Sequence, residues 1–470
     1  TSETNAAASA AAAEGAVDNA LAADRTVTGS WTFADEITIG TAVVDAAFAG
    51  EMKTIIDDLR AMILVVRTTA DAENFVLPAK NVGAYNAVVS WGDGSQSTIT
   101  AYNDANLTHT YATAGVHVIK IYGSFPSVYF NNGSSAPKVI KVLNLGATGL
   151  LSLDYAFYGC TNLTTVKSVY ADTSQVTTMR SMFQDCSAMI VPPAVGSWDV
   201  SSVTTVFSMF QGCTAMTLPP DTSGWDVGLV ASFNSMFNNC VAMTLPPDTS
   251  GWDTGSATSF NAIFQGCAAM TLPPDTSGWD TGAVTGLISM FFGCVAMELP
   301  PDTSGWDTGA VTSMYAMFMN CNAMASAPDT SGWNTGAVTS MGSMFMGCTV
   351  MATAPDTSGW NTGAVTSLNS MFQGCAALPV VDISGFAIHL VTTAVSFMSG
   401  SNGALDTAMY DLTLQAFYAQ SSMGGGAGIQ NGVSWHFGDA QYTAGGAVEA
   451  AKTSLVNNDG MIIVDGGAAA

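Results

Sequence analysis

Between residues 181 and 451 the chain contains no lysine or arginine. The same stretch holds 18 acidic residues, which is −18 of a formal net charge of −25. A surface of this sign argues against nucleic acid and against insertion at anionic membranes, because both need cationic side chains to neutralise phosphate. Charge of either sign is scarce, at 10% of 470 residues, so Ser, Thr, Asn and Gly must wet the surface. No apolar run approaches the roughly 18 residues of a membrane span. Histidine is nearly missing: His109, His117, His389 and His436 are scattered. No zinc-binding His pair, G-x-S-x-G elbow or dinucleotide fingerprint appears, so no enzyme, catalytic residue or cofactor-binding residue is expected. The chain begins at Thr1 without a basic segment leading into an apolar one, and no signal peptide is expected.

One unit is copied many times instead. The nine cysteines are Cys160, Cys186, Cys213, Cys240, Cys267, Cys294, Cys321, Cys348 and Cys375, 26 residues apart once and 27 thereafter. A Phe stands three residues before each, from Phe157 to Phe372. Trp198 to Trp360 form a further column, and the best-kept copies read C-x-A-M-x-L-P-P-D-T-S-G-W-D-T-G-A-V-T-S-M-x-x-M-F. A period of this length implies a solenoid, in which each unit buries its apolar side only by stacking on its neighbours. Val311, Met314, Met317, Phe318 and Cys321 are spaced as one side of a short helix, with Thr312 or Ser313 as N-cap. The Met-x-Leu-Pro-Pro segment cannot be helical and should be extended. Each coil would then hold one short strand and one short helix.

The columns become ladders when the coils stack. Phe, Met and Cys suit a dry core, with the thiols buried and unpaired because parallel Cβ vectors fit a disulfide poorly. Trp225, Trp252, Trp279 and Trp306 either pack against the Pro pairs or form a partly exposed, ligand-facing stripe for sugar or protein. Asp226, Asp253, Asp280 and Asp307 are weak calcium candidates, since stacked carboxylates could share an oxygen-seeking ion. The competing reading is that each Asp accepts backbone N–H groups in an Asx-turn. Asn334 and Asn361 continue that column, keeping the acceptor and dropping the charge.

The stretch Val311-Thr-Ser-Met-Tyr-Ala-Met-Phe-Met-Asn-Cys321 resembles the V-T-x-M-x-x-M-F-x-x-C hallmark of BspA-like leucine-rich repeats (DUF285-type) of bacterial and phage surface proteins. Matching segments recur from about residue 174 to residue 375, and the P-P-D-T-S-G-W insert departs from the family pattern. Upstream, Trp91-Gly-Asp-Gly94, His109-Thr-Tyr111 and Gly115-Val-His-Val118 resemble a PKD-type immunoglobulin-like domain. That resemblance implies an antiparallel sandwich with Trp91 and Tyr111 in its core, and His109 and His117 are read as structural.

The expected organisation is therefore multidomain. Residues 1–30 form an Ala-rich connector, and 31–72 a strand plus an amphipathic helix for oligomerisation or attachment. Residues 73–148 form the sandwich, 149–400 an α/β leucine-rich-repeat solenoid, and 401–470 an α/β cap. The helix is expected from about Val43 to Val66, with Met52, Ile55, Ile56, Leu59, Met62 and Ile63 on one side. A strand is expected over Arg25–Phe33, whose sequence is similar to phage tail-fibre connectors, usually trimers. In the cap, helices are expected over 405–419 and 446–457, and strands over 433–437 and 461–464. The ending V-N-N-D-G-M-I-I-V-D-G-G resembles the C-termini of phage-borne repeat proteins.

These resemblances imply a phage virion fibre that binds a glycan or protein receptor on the host surface. The implied chain is a homo-oligomer, such as a trimer, that contacts other virion proteins. A bacterial cell-surface adhesin and a purely architectural virion protein are the alternatives.

Overall fold

The computed structural model describes residues 56–167, 170–401, 403–426 and 428–469. The chain divides into two compact units, the first ending at Ser202 and the second beginning at Val203. The strand expected over 25–33, and the expected helix before residue 56, lie outside the described residues. The described residues are mostly turn and loop with short strands and few helices, and no closed barrel is found among them.

The first unit is built on a six-stranded sheet. Its strands are β1 (Met62–Thr68), β3 (Asn86–Ser90), β4 (Gln96–Ile99), β6 (Gly115–Ser124), β7 (Val139–Asn144) and β8 (Thr165–Val166), in the order β4-β3-β6-β1-β7-β8. A second sheet pairs β2 (Glu73–Val76) with β5 (Thr108–Tyr111). The turn Trp91-Gly-Asp-Gly94 joins β3 to β4, where Gly92 and Gly94 hold φ of 84° and 91°. Trp91 and Tyr111 are buried, and the Tyr111 hydroxyl donates to the Trp91 carbonyl at 2.9 Å. His109 stacks on Trp91 and pairs with Asp93 at 2.7 Å. His117 lies beside Thr68 Oγ1 at 3.1 Å, and burial pushes its pKa down.

The helix expected to run on to Val66 ends instead at residue 60, and Met62–Thr68 is a strand inside the sheet. Ile63, Leu64, Val65 and Val66 are all buried. A strand covered on both faces reads as an unbroken apolar run, and over a few residues such a run carries no period to separate strand from helix. The expected boundary at residue 148 also falls within continuous structure. β7 pairs in parallel with β8 inside the first repeat, and Phe130 begins a ring stack that continues through Phe157 to Phe183.

β2 is clamped to the chain near β7 by a 2.7 Å ion pair between Glu73 and Lys138. The hydrogen bond from Lys138, helped by the Thr69 and Ala70 N–H groups, outweighs burial and holds the Glu73 carboxyl at about 2. A folded pKa below the unfolded value stabilises above the unfolded pKa and is lost as pH falls. The first unit should therefore lose stability between about pH 4.5 and pH 2. Acid titration of the melting temperature checks this, and Glu73→Gln should remove that part of the slope.

In the second unit successive copies are joined by parallel bridges at one position per copy. Ser232 bridges Ser259, Ser259 bridges Gly286, and the series continues through Ser313, Ser340 and Ser367 to Thr393. The expected helix is absent. Met314, Ala316, Phe318 and Asn320 donate their N–H groups to Ser340, Gly342, Met344 and Met346 in the next copy, at 2.7–3.0 Å. The alternate residues Met317, Met319 and Cys321 close i→i+3 turns at 3.2–3.3 Å. Two residues in each copy take a left-handed backbone, here Ala316 at φ 55° and Asn320 at φ 60°. Tight turns place every third residue on one side, as a helix does, so the apolar spacing of 3 suits both. The Met-x-Leu-Pro-Pro segment forms no strand and contributes a single bond per copy, such as Glu298 N–H to the Thr271 carbonyl at 3.0 Å.

The left-handed positions explain the residue before each Cys, which is Gly, Asn or Asp in every copy, because those residues accept positive φ most readily. At Gly293, φ 74°, an added Cβ would meet only Gly266 Cα at 3.7 Å, so space is not the constraint. Gly293→Val should cost about 1–2 kcal/mol through the backbone alone, and Gly293→Asn much less. Urea denaturation of the two variants distinguishes them.

The inward residues form ladders. Phe210, Phe237, Phe264, Phe291, Phe318, Phe345 and Phe372 stack with centroids 5.4–5.8 Å apart and planes within 11°. Buried Thr303 and Thr308 in the inserted segment donate to the Asp329 and Asn334 carbonyls of the next copy, at 2.5 and 3.0 Å. After the last copy come α1 (Thr407–Gln420), β9 (Ser434–His436), α2 (Gly446–Asn457) and β10 (Ile462–Val464), close to the elements expected. β9 continues the bridge series through Ala394 and Trp435, and β10 pairs with it in parallel.

Candidate recognition face

One copy shows how the backbone sorts side chains. From Thr285 to Leu299, the residues Leu287, Met290, Phe291, Cys294 and Met297 are fully buried. Thr285, Ile288, Val295, Glu298 and Leu299 point to solvent. The left-handed residues Ser289 and Gly293 reverse the chain between these sets, so inward and outward positions alternate in short groups.

The two sets differ between copies. Inward positions keep to Phe, Met, Leu, Ile, Val and Cys, and D-T-S-G-W-[D/N]-T-G recurs unchanged from Asp248 to Gly363. The outward position of Ile288 is instead Asn234, Asn261, Tyr315, Gly342 and Asn369 in the other copies. The position of Phe292 is likewise Asn238, Gln265, Met319, Met346 and Gln373. Two of these asparagines also serve the backbone: Asn234 Oδ1 accepts Asn261 N–H at 3.0 Å, and Asn261 Oδ1 accepts Ile288 N–H at 2.7 Å. Between the Asn-bearing copies lies an apolar patch of Ile288, Val295 and Tyr315, which are 36%, 42% and 46% exposed. The Tyr315 ring rests over Gly342, where an added Cβ would stand 3.4 Å from Cδ2. This strip can bind by shape, apolar contact and amide hydrogen bonds.

Trp225, Trp252, Trp279 and Trp306 are not ligand-facing. All four are buried, with 2–3% exposure. Phe233 stacks on Trp252 at 5.1 Å and Phe260 lies on Trp279 at 4.5 Å, while Trp252 and Trp279 stack on each other at 6.1 Å. The indole has too much apolar area to stay in water when such rings are beside it. Its N–H finds no partner within the protein at Trp252, Trp279, Trp306, Trp333 or Trp360.

Asp226, Asp253, Asp280 and Asp307 are exposed, and each accepts the N–H of the glycine two residues on, at 2.9–3.2 Å. Asn334 and Asn361 do the same for Gly336 and Gly363. The Asx-turn reading therefore describes this column. In the parallel column the Ser304 hydroxyl and N–H hold the Asp302 carboxyl below its ordinary value. Among the described residues no group of three or more His, Cys, Asp or Glu is placed to hold a metal ion. The melting temperature should therefore be the same in millimolar calcium and in a chelator, as scanning calorimetry would check.

All nine cysteines are free and buried. The thiols of Cys240, Cys267, Cys294, Cys321 and Cys348 each donate at 3.2 Å to the carbonyl of a Phe 30 residues earlier. Burial pushes the Cys267 thiol up to about 12, which removes the thiolate that reactivity needs.

The family model described as Mycoplasma protein of unknown function, DUF285, matches residues 151–276, 246–355 and 296–407. The three matches together span more than half of the chain. The chain belongs to this family. No curated protein and no solved structure matches it significantly. The matched region of this DUF285 member contains both the bridged copies and the varied strip. The sequence signal for the strip is variation between copies, which is visible only after the invariant columns are set aside.

Proposed function

We propose that this chain is a phage virion fibre that presents a repeat solenoid for recognition of the host surface. The observation that carries this reading is the confinement of copy-to-copy variation to outward positions over an unvarying core. A stack that needed only to be stable would have no reason to vary there, whereas a binding face would. Repetition multiplies weak contacts, and oligomerisation through the N-terminal segment, as in a trimer, multiplies them again. The first-unit sheet is then a PKD-type spacer, residues 401–470 close the solenoid, and no step of catalysis is involved. The partners are a host receptor, glycan or protein, and other virion proteins.

Fluorescently labelled full-length chain should adhere to cells of some strains in a bacterial panel. The double variant Ile288→Asp, Tyr315→Asp should bind about tenfold more weakly with an unchanged melting temperature, since both side chains are exposed. Absence of adhesion to every strain would favour the architectural reading. The family description refers to a cellular bacterium, which favours a second reading as a bacterial cell-surface adhesin. Immunogold labelling separates the two: gold on virions supports the fibre, and gold on bare cell envelopes supports the adhesin.

A further inference from the structure

In a chain with 11 cationic residues and a net charge of −25, three cations converge on one concavity of the first unit. It has a volume of about 580 Å³ and is lined by Arg67, Lys138 and Lys141, with Glu73 as its one carboxylate. Arg67 and Lys141 come from neighbouring strands. Val65 pairs with Lys141, and Arg67 lies two residues beyond Val65 on the same face of β1.

The lysines elsewhere in the molecule are used internally: Lys80 pairs with Asp154, Lys120 with Asp58 and Lys452 with Asp465. In the concavity Glu73 offsets Lys138 alone, which leaves two positive charges unbalanced by its lining. The Arg67 guanidinium has no hydrogen bond or ion pair among the described residues.

The rest of the lining narrows the ligand. Thr69, Ser134, Asn162 and Thr164 bring hydroxyl and amide groups to the same space. Asn162 spends its Nδ2 on the Pro137 carbonyl at 2.7 Å, and its Oδ1 remains an acceptor. No aromatic ring lines the walls to stack a nucleobase, and the volume exceeds what a bare inorganic anion fills. We propose that this concavity binds a small acidic saccharide, with its anionic group held by Arg67 and Lys141 and its hydroxyls by the Thr, Ser and Asn side chains. The repulsive field of the remaining molecule makes such a basic site selective, because an anion gains attraction only here. The assignment is independent of whether the chain belongs to a virion or a cell envelope.

The test is isothermal titration of the full-length chain with glucuronate, glucose 6-phosphate, glucose and inorganic phosphate. Glucuronate or glucose 6-phosphate should bind and weaken as salt rises, while glucose gives no heat. Binding of glucuronate alone identifies a carboxylate sugar, and of the phosphate ester alone a phosphorylated one. Arg67→Gln, at an exposed position, should weaken binding about tenfold or more without moving the melting temperature. Lys141→Gln should act in the same direction. The proposal is overturned if glucose binds as well as the anions, if inorganic phosphate alone binds, if nothing binds, or if Arg67→Gln leaves the affinity unchanged.

Discussion

Replacing Phe318 by Ala should destabilise the second unit by about 3–5 kcal/mol, the cost of emptying a closed aromatic site. Phe318 is fully buried and stacks on Phe291 at 5.6 Å and on Phe345 at 5.7 Å. Removing the ring takes away two stacking partners at once. The cavity cannot close by local collapse, because the spacing of the copies is set by the backbone bonds from Phe318 to Met344 and from Asn320 to Met346. In a repeat array each copy is stabilised by its neighbours, so a weakened middle copy divides the stack into two shorter, less stable pieces. Guanidinium unfolding followed by tryptophan fluorescence should show an earlier and broader transition. Phe318→Leu should recover most of the loss, and exposed Tyr315→Ala should remain within about 0.5 kcal/mol of the parent. A loss below about 1 kcal/mol for Phe318→Ala would mean that the Phe column is not one continuous core.

The period was legible in the sequence because stacking forces the same residue type onto the same position, as at Phe318 and Cys321. The local backbone was not. The i→i+3 turns of Met314–Cys321 and an α-helix put the same residues on one side, and only the left-handed Ala316 and Asn320 separate them. Asn320 belongs to a Gly/Asn/Asp column that signalled positive φ, whereas Ala316 carried no such signal. The first member of the ring stack, Phe130, stands 27 residues before Phe157, but Gly133 occupies the matching Cys position, so the cysteine column did not reveal it. The candidate ligand ladder failed at the tryptophans for a different reason. An indole suits an exposed stripe and a core equally well, and its fate was decided by Phe233 and Phe260, which lie in a neighbouring column.

Trp435→Ala should be as damaging as Phe318→Ala, about 3–5 kcal/mol, but with a different signature. Trp435 is buried at 1% exposure and packs on Phe397 at 5.3 Å, Phe417 at 5.0 Å and Phe437 at 5.6 Å. The last copy is where the Phe stack turns. Phe397 meets Phe372 edge-on at 79°, and Ser401 replaces the cysteine and donates to the Phe372 carbonyl. β9 then supplies the next rung, with Met398 N–H donating to the His436 carbonyl at 2.8 Å. Without the Trp435 ring, α1 and β9 lose their common anchor, and the cap should open while the copies below it remain stacked. Limited proteolysis should then cut near Met423 before the copies themselves are attacked. Opening exposes Phe397 and an unpaired row of backbone groups, which is a template for association between molecules. Light scattering should therefore report aggregation of Trp435→Ala on mild heating, and Trp435→Phe should suppress it. Phe318→Ala leaves the cap in place and should unfold before it aggregates. If Trp435→Ala resists protease as the parent does, the cap is held by its helices and not by this ring.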